Sequence, residues 1–181
     1  MNYDFRDIIQ KEDGGIIVVA EQYHFDVKTS TSTSNGHTTT TTHTYYYYDN
    51  ILVLNIDKNG VIEWQKIIPK HQVSVDDDGY YSSYVLGIKN ETLYFLYNGP
   101  QIPKDKNGKE AKVFFYSRKK NSLILLTISK DGELSEKSYL FSFKENKNIL
   151  VPKLARQISD DEIFIFGKYL KTAQYATIKL E

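Results

Sequence analysis

The runs Asn50-Ile-Leu-Val-Leu-Asn-Ile-Asp-Lys-Asn-Gly-Val-Ile-Glu-Trp-Gln-Lys66 and Asn121-Ser-Leu-Ile-Leu-Leu-Thr-Ile-Ser-Lys-Asp-Gly-Glu-Leu-Ser-Glu-Lys137 decide the fold. Each reads as an apolar strand, a four-residue turn and a second, more polar strand. The turns are Asp57-Lys58-Asn59-Gly60 and Ser129-Lys130-Asp131-Gly132. Asn-Gly and Asp-Gly between strand-like runs are strong hairpin signals, because both central residues take positive φ readily. Seventy-two residues separate Asp57 from Ser129, a spacing that marks a repeat.

A second hairpin precedes each of these. Tyr3–Ile9 leads through Lys11-Glu12-Asp13-Gly14-Gly15 into Ile16–Val19, and Tyr80–Ile88 leads through Lys89-Asn90-Glu91 into Thr92–Tyr97. A third copy runs Leu150–Ile158, Ser159-Asp160-Asp161, Glu162–Phe166 and then Tyr175–Leu180. The units span 1–72, 73–146 and 147–181, within a single domain of about eleven strands. No stretch carries a 3.6-residue period, so almost no helix is expected.

The middle strands (Ile16–Val19, Ile51–Leu54, Leu123–Leu126, Ile163–Phe166) are apolar on both faces and must be covered on both sides. Radially stacked blades do this. A β-sandwich, the alternative, leaves polar outward faces. The expected class is therefore all-β, a partial β-propeller of four-stranded antiparallel blades. Fewer than three full blades fall short of the four to eight of closed propellers. The expectation is a C-terminal part of a longer chain, or copies that associate into a homo-oligomer to close the ring.

Gly14–Glu21 and Ile51–Lys66, with their glycine turns and Trp64, resemble blades of uncharacterised propeller-type proteins of Bacteroidetes-like bacteria. More loosely, they are similar to kelch-like and quinoprotein-type propellers. The resemblance implies architecture and carries over no catalytic residue. Ser135 stands where a second Trp would match Trp64.

Composition supports sheet: 15 Tyr, 9 Phe and one Trp in 181 residues. The 23 basic and 23 acidic residues balance, which argues against a nucleic-acid binder and offers no polybasic membrane patch. No apolar run approaches the length of a spanning helix, so no membrane insertion is expected. There is no cysteine, hence no disulfide or thiolate chemistry. Met1–Arg6 lacks the basic and apolar regions of a leader. Periplasmic or extracellular placement would be favoured if an upstream leader had been removed.

Tyr23–Asp49 has the composition of a low-complexity linker, yet Asn35-Gly36 lies at its centre between strong strand formers. A two-residue turn there sets Ser34 opposite His37. Tyr23, Phe25 and Val27 then face Tyr48, Tyr46 and Thr44. His24, Asp26 and Lys28 face Tyr47, Tyr45 and His43 on the other side. Carried inward without a slip, the same register pairs Val18 with Val53 and Ile16 with Asn55. The expectation is a protruding ribbon with an aromatic base and a Ser/Thr tip. Asn98–Lys119, with Lys106-Asn107-Gly108 and Phe114-Phe115-Tyr116, is a shorter echo at the same point of the repeat, so both should emerge from one rim.

Binding candidates are Tyr23, Phe25, Tyr45, Tyr46, Tyr47, Tyr48, Phe114 and Tyr116, whose rings suit a sugar or a protein partner or form a stabilising cross-strand ladder. His24, Asp26 and His43 share a ribbon face and form a candidate divalent-metal group, with zinc the first guess. Asp76-Asp77-Asp78-Gly79 reads as half of a calcium loop or, more simply, a solvated turn. Trp64 is expected to pack between blades. No nucleophile, zincin, P-loop or dinucleotide fingerprint is present, and no cofactor is expected. The leading function is a non-catalytic interaction module binding protein or glycan. The alternative is part of a carbohydrate-active propeller enzyme whose site is completed elsewhere.

Overall fold

The computed structural model describes residues 2–100, 113–114, 121–146 and 148–181. Fourteen strands are described: β1 (Asn2–Gln10), β2 (Ile16–Ser34), β3 (His37–Ile56), β4 (Ile62–Ile68), β5 (Gln72–Val75), β6 (Tyr84–Lys89), β7 (Thr92–Pro100), β8 (Val113–Phe114), β9 (Asn121–Ile128), β10 (Ser138–Ser142), β11 (Ile149–Leu150), β12 (Arg156–Ser159), β13 (Glu162–Tyr169) and β14 (Thr172–Lys179). The four-residue α1 (Phe143–Asn146) and a short 3-10 turn at Pro152–Leu154 are the helical segments described. The protein is all-β. Eleven strands is an undercount: β5, β8 and β11 have only two to four residues, too few to establish a period.

Three sheets form, none of them closed. The first runs β1-β2-β3-β5-β8, with β4 on the lower part of β3; the second runs β10-β9-β7-β6; in the third, β13 carries β11 and β12 on one side and β14 on the other. β5 straddles the expected boundary between 72 and 73, yet pairs with β3 in the first sheet. All pairings are antiparallel except the short β5–β8 contact.

The sheets stack in sequence order. Ile17, Val19, Ile51 and Val53 of the first pack against Leu93, Phe95, Ile124 and Leu126 of the second. The opposite face of the second, with Val85, Leu96 and Leu123, packs against Ile163, Ile165 and Leu180 of the third. This layering gives the second sheet's middle strands the two-sided cover that their apolar faces require.

The hairpin turns differ in one respect from the expectation. At 57–60 and 129–132 only the glycine has positive φ (Gly60 84°, Gly132 81°), and Gly14 (86°) repeats the arrangement between β1 and β2. The Gly60 amide donates to the Asp57 carbonyl, and the Asp57 amide to the Val61 carbonyl. This is a tight turn followed by a left-handed glycine, the usual solution when the loop exceeds two residues. Gly132 has a second reason to be glycine: a Cβ there would lie 2.8 Å from the Trp64 ring. Trp64 also donates from Nε1 to the Lys130 carbonyl at 3.1 Å, so it joins the first sheet to the second.

Candidate functional site

β2 and β3 run far past their sheet as a two-stranded ribbon. Ser34 pairs with His37, and the register holds back to Tyr23 opposite Tyr48. Asn35 (φ 50°) and Gly36 (φ 78°) form the turn, both left-handed as a two-residue hairpin loop of this hand requires. The inward continuation without a slip is corrected by the structure. Glu21 pairs with Ile51, so Asp49 and Asn50 of β3 together oppose Gln22, and the core pairs are Val18 with Leu54 and Ile17 with Asn55. This bulge lets Tyr48 and Asp49, adjacent in sequence, both be buried.

β1 accompanies β2 only as far as Tyr23, and β5 accompanies β3 only from Tyr48 to Tyr45. Beyond these points, among the described residues, both outer edges lack a neighbouring strand. Eleven further residues of β2 reach roughly 36 Å at about 3.3 Å each. One face carries rungs of paired threonines, with Oγ1 atoms 3.0 Å apart at Thr29–Thr42, 3.3 Å at Thr31–Thr40 and 3.1 Å at Thr33–Thr38. Lower on that face lie Phe25 with Tyr46 (centroids 6.5 Å apart) and Tyr23 with Tyr48 (4.8 Å). The Arg6 guanidinium sits 5.9 Å from both of the latter rings. Phe25 and Val27 are the exposed apolar side chains here, whereas Tyr48 is buried. The tyrosine run is thus the middle strand of a three-stranded base.

On the other face His24 stacks flat on Tyr47 (4.3 Å, 1°), and the Lys28 ammonium lies 4.9 Å from the Tyr45 ring. Asp26 stands opposite Tyr45. His43 Nδ1 turns away to Asp76 Oδ2 at 2.6 Å. The structure therefore does not bring His24, Asp26 and His43 together. Among the described residues no three His, Cys, Asp or Glu side chains gather to hold a metal ion. Phe114 falls in β8, paired with Val73 through its backbone. Tyr116 and most of the shorter echo, residues 101–112 and 115–120, lie outside the described residues.

The acidic run is a turn with Asp76 and Asp78 exposed, and it also clamps the ribbon. Asp76 accepts from the Thr44 amide at 2.8 Å as well as meeting His43, while its own amide donates to the Thr44 carbonyl. The hydrogen bond to His43 and then that from Thr44 hold the Asp76 carboxyl below the usual aspartate range. Asp78 accepts from the Tyr46 hydroxyl at 2.6 Å, and this bond is the main reason the Tyr46 pKa is raised to about 12. Gly79 closes the clamp beneath Tyr48, where a Cβ would sit 2.4 Å from the ring.

Behind the ribbon base lies a buried polar chain that crosses all three sheets. Glu21, fully buried, meets Lys70 Nζ at 2.8 Å and Arg6 Nε at 3.4 Å, and accepts from the Ser83 hydroxyl at 2.7 Å. Lys70 also donates to the Tyr48 carbonyl (2.9 Å) and to Gln72 Oε1 (3.1 Å). Burial lowers the Lys70 pKa, with Glu21 opposing that shift. Gln72 passes the chain to the Asn98 carbonyl at 2.8 Å, and the Asn98 amide donates to the Leu150 carbonyl at 2.8 Å. Asp49 and His71 pair beside it. No motif announced these residues. The available signal was Glu21, a charge placed directly after the apolar run Ile16–Ala20.

No protein-family model matches this chain, and neither a curated protein nor a solved structure matches it.

Proposed function

We propose that the chain is a non-catalytic binding module of propeller type, its stacked sheets standing as successive blades, which presents the ribbon to a protein or glycan partner. The observation that carries this reading is the contrast along the ribbon: clamped by Asp76–Gly79 at its base, it has no neighbouring strand among the described residues on either edge beyond. Exposed edges are normally blunted by lysine, proline or inward charge. From Thr29 to Thr42 there is no lysine, proline or acid. Unblunted edges favour an extended segment of a protein partner, which adds to them through backbone hydrogen bonds. The exposed Phe25 and Val27 supply an apolar foothold at the start of such a contact.

Replacing residues 27–44 by a two-residue Asn-Gly turn should leave the far-ultraviolet circular dichroism of the body unchanged. The same change should abolish capture of the partner that the intact chain retains in a pull-down. Capture that persists at full strength would overturn the assignment.

A further inference from the structure

One edge strand of each sheet, β1, β6 and β12, contributes to the wall of a shared cavity of about 340 Å³. Side chains tie these strands to one another. The Tyr84 hydroxyl of β6 donates to Asp7 Oδ2 of β1 at 3.0 Å. Gln157 of β12 meets β6 as a neighbouring backbone would: its Oε1 accepts from the Ile88 amide and its Nε2 donates to the Ile88 carbonyl, both at 2.8 Å. The charges lining the cavity are unmatched, with Arg6, Lys153 and Arg156 against one carboxylate, Asp7. Lys153 Nζ donates to a neutral group, the Asp78 carbonyl, at 2.5 Å. Arg6 is held from behind, its Nε 3.4 Å from the buried Glu21, with Asp4 at 3.9 Å from Nη2. The Arg156 guanidinium has no acceptor among the described residues, and no cation there stands within ion-pair distance of Asp7. Ser83, also in the wall, has a left-handed backbone (φ 76°) fixed by its bonds to Glu21 and Gln72. Such residues persist where their surroundings over-determine them, and they gather at ligand sites.

We propose that this cavity binds a small carboxylate bearing hydroxyl groups, a ligand of the sugar-acid class. A guanidinium takes a carboxylate through two parallel N–H bonds, which gives Arg156 the partner it lacks. Asp7 is hydrogen-bonded through Oδ2 and presents Oδ1 to a ligand hydroxyl. A neutral sugar leaves Arg156 unmatched, and an anion without hydroxyls leaves Asp7 unmatched. The volume lies at the small end of ligand pockets and suits one sugar ring. No residue from 27–44 lines the cavity, so this site goes beyond the ribbon and is independent of it.

Isothermal titration calorimetry of the 181-residue chain with glucuronate, glucose and inorganic phosphate tests it. Glucuronate should bind saturably at one site, and glucose and phosphate each about tenfold or more weakly. Arg156→Ala should raise the glucuronate dissociation constant by about ten- to a hundredfold, the range for a hydrogen bond to a charged group. Asp7→Asn should raise it by a smaller factor, and circular dichroism should be unchanged in both variants. Replacing residues 27–44 should leave glucuronate binding as it is. Absence of saturable glucuronate binding overturns the proposal, as does glucose bound equally tightly. Phosphate bound equally tightly would mean a bare anion site and overturns it too. So does a dissociation constant that either Arg156→Ala or Asp7→Asn leaves unchanged, or binding lost with residues 27–44.

Discussion

β2 and β3 are each one continuous strand, yet their two halves are held by different physics. In the lower half, Ile17–Glu21, Ile51 and Val53 are buried, with Ile17, Val19, Ile51 and Val53 packed on the second sheet. In the upper half, Thr29–Ser34 and His37–Thr42 are exposed throughout, held by ladder hydrogen bonds and threonine rungs. An isolated two-stranded hairpin is at best marginally stable in water. The ribbon persists because its base is gripped on one side by the Asp76–Gly79 clamp and behind by the Glu21–Lys70 chain. The body depends on burial, and the ribbon depends on its mooring.

The largest separation of the two halves should come from Lys70→Met. It leaves the buried Glu21 carboxylate with Arg6 at 3.4 Å and the Ser83 hydroxyl but without its closest cation, a loss that approaches the cost, about 3–5 kcal/mol, of a buried pair losing one partner. Urea denaturation should show that loss for the whole body, and Glu21→Leu added to Lys70→Met should recover much of it. A loss below about 1 kcal/mol would show that the polar chain is not what joins the sheets.

A smaller effect, confined to the ribbon, is expected on acidification. The Asp76 pKa is lowered in the fold, so its contribution is present above the unfolded value of about 4 and is lost as pH falls through the lower folded value. Hydrogen exchange at the Thr44 amide should therefore stay protected, relative to the intrinsic rate, down to about pH 4 and lose protection below it, with core amides such as Phe95 unaffected. Protection of Thr44 that survives in Asp76→Asn would remove the clamp from the argument.

The finest probe is spectroscopic. Tyr46 should ionise near pH 12 because its hydroxyl donates to Asp78, and Asp78→Asn should return it toward about 10. The raised value means the hydrogen bond stabilises the base below about pH 10 and is lost as pH rises through 12. Absorbance at the phenolate band reads this directly, and an unchanged titration would release Tyr46 from the clamp.

The ribbon was legible in the sequence because its information is local. Asn35-Gly36 fixes the turn, and every pair from Ser34–His37 to Tyr23–Tyr48 follows by counting. The repeat of glycine turns and two-faced apolar strands likewise led to an all-β fold without the structure. The bulge was not legible, because slipping β3 by one residue still aligns apolar residues with apolar residues in so uniform a run. The clamp and the polar chain were hidden for another reason: His43–Asp76, Glu21–Lys70 and Asn98–Leu150 are joined across 33, 49 and 52 positions. Only the stacking of the sheets brings them together.

The bulge at Asp49–Asn50 also sits at the fulcrum of a lever. With an arm of roughly 36 Å beyond it, a tilt of about 5° there carries Asn35 and Gly36 through about 3 Å, close to one residue's rise along a strand. Where the tip can be found is therefore decided at the opposite end of the ribbon, by a histidine, a tyrosine and two aspartates gripping its base.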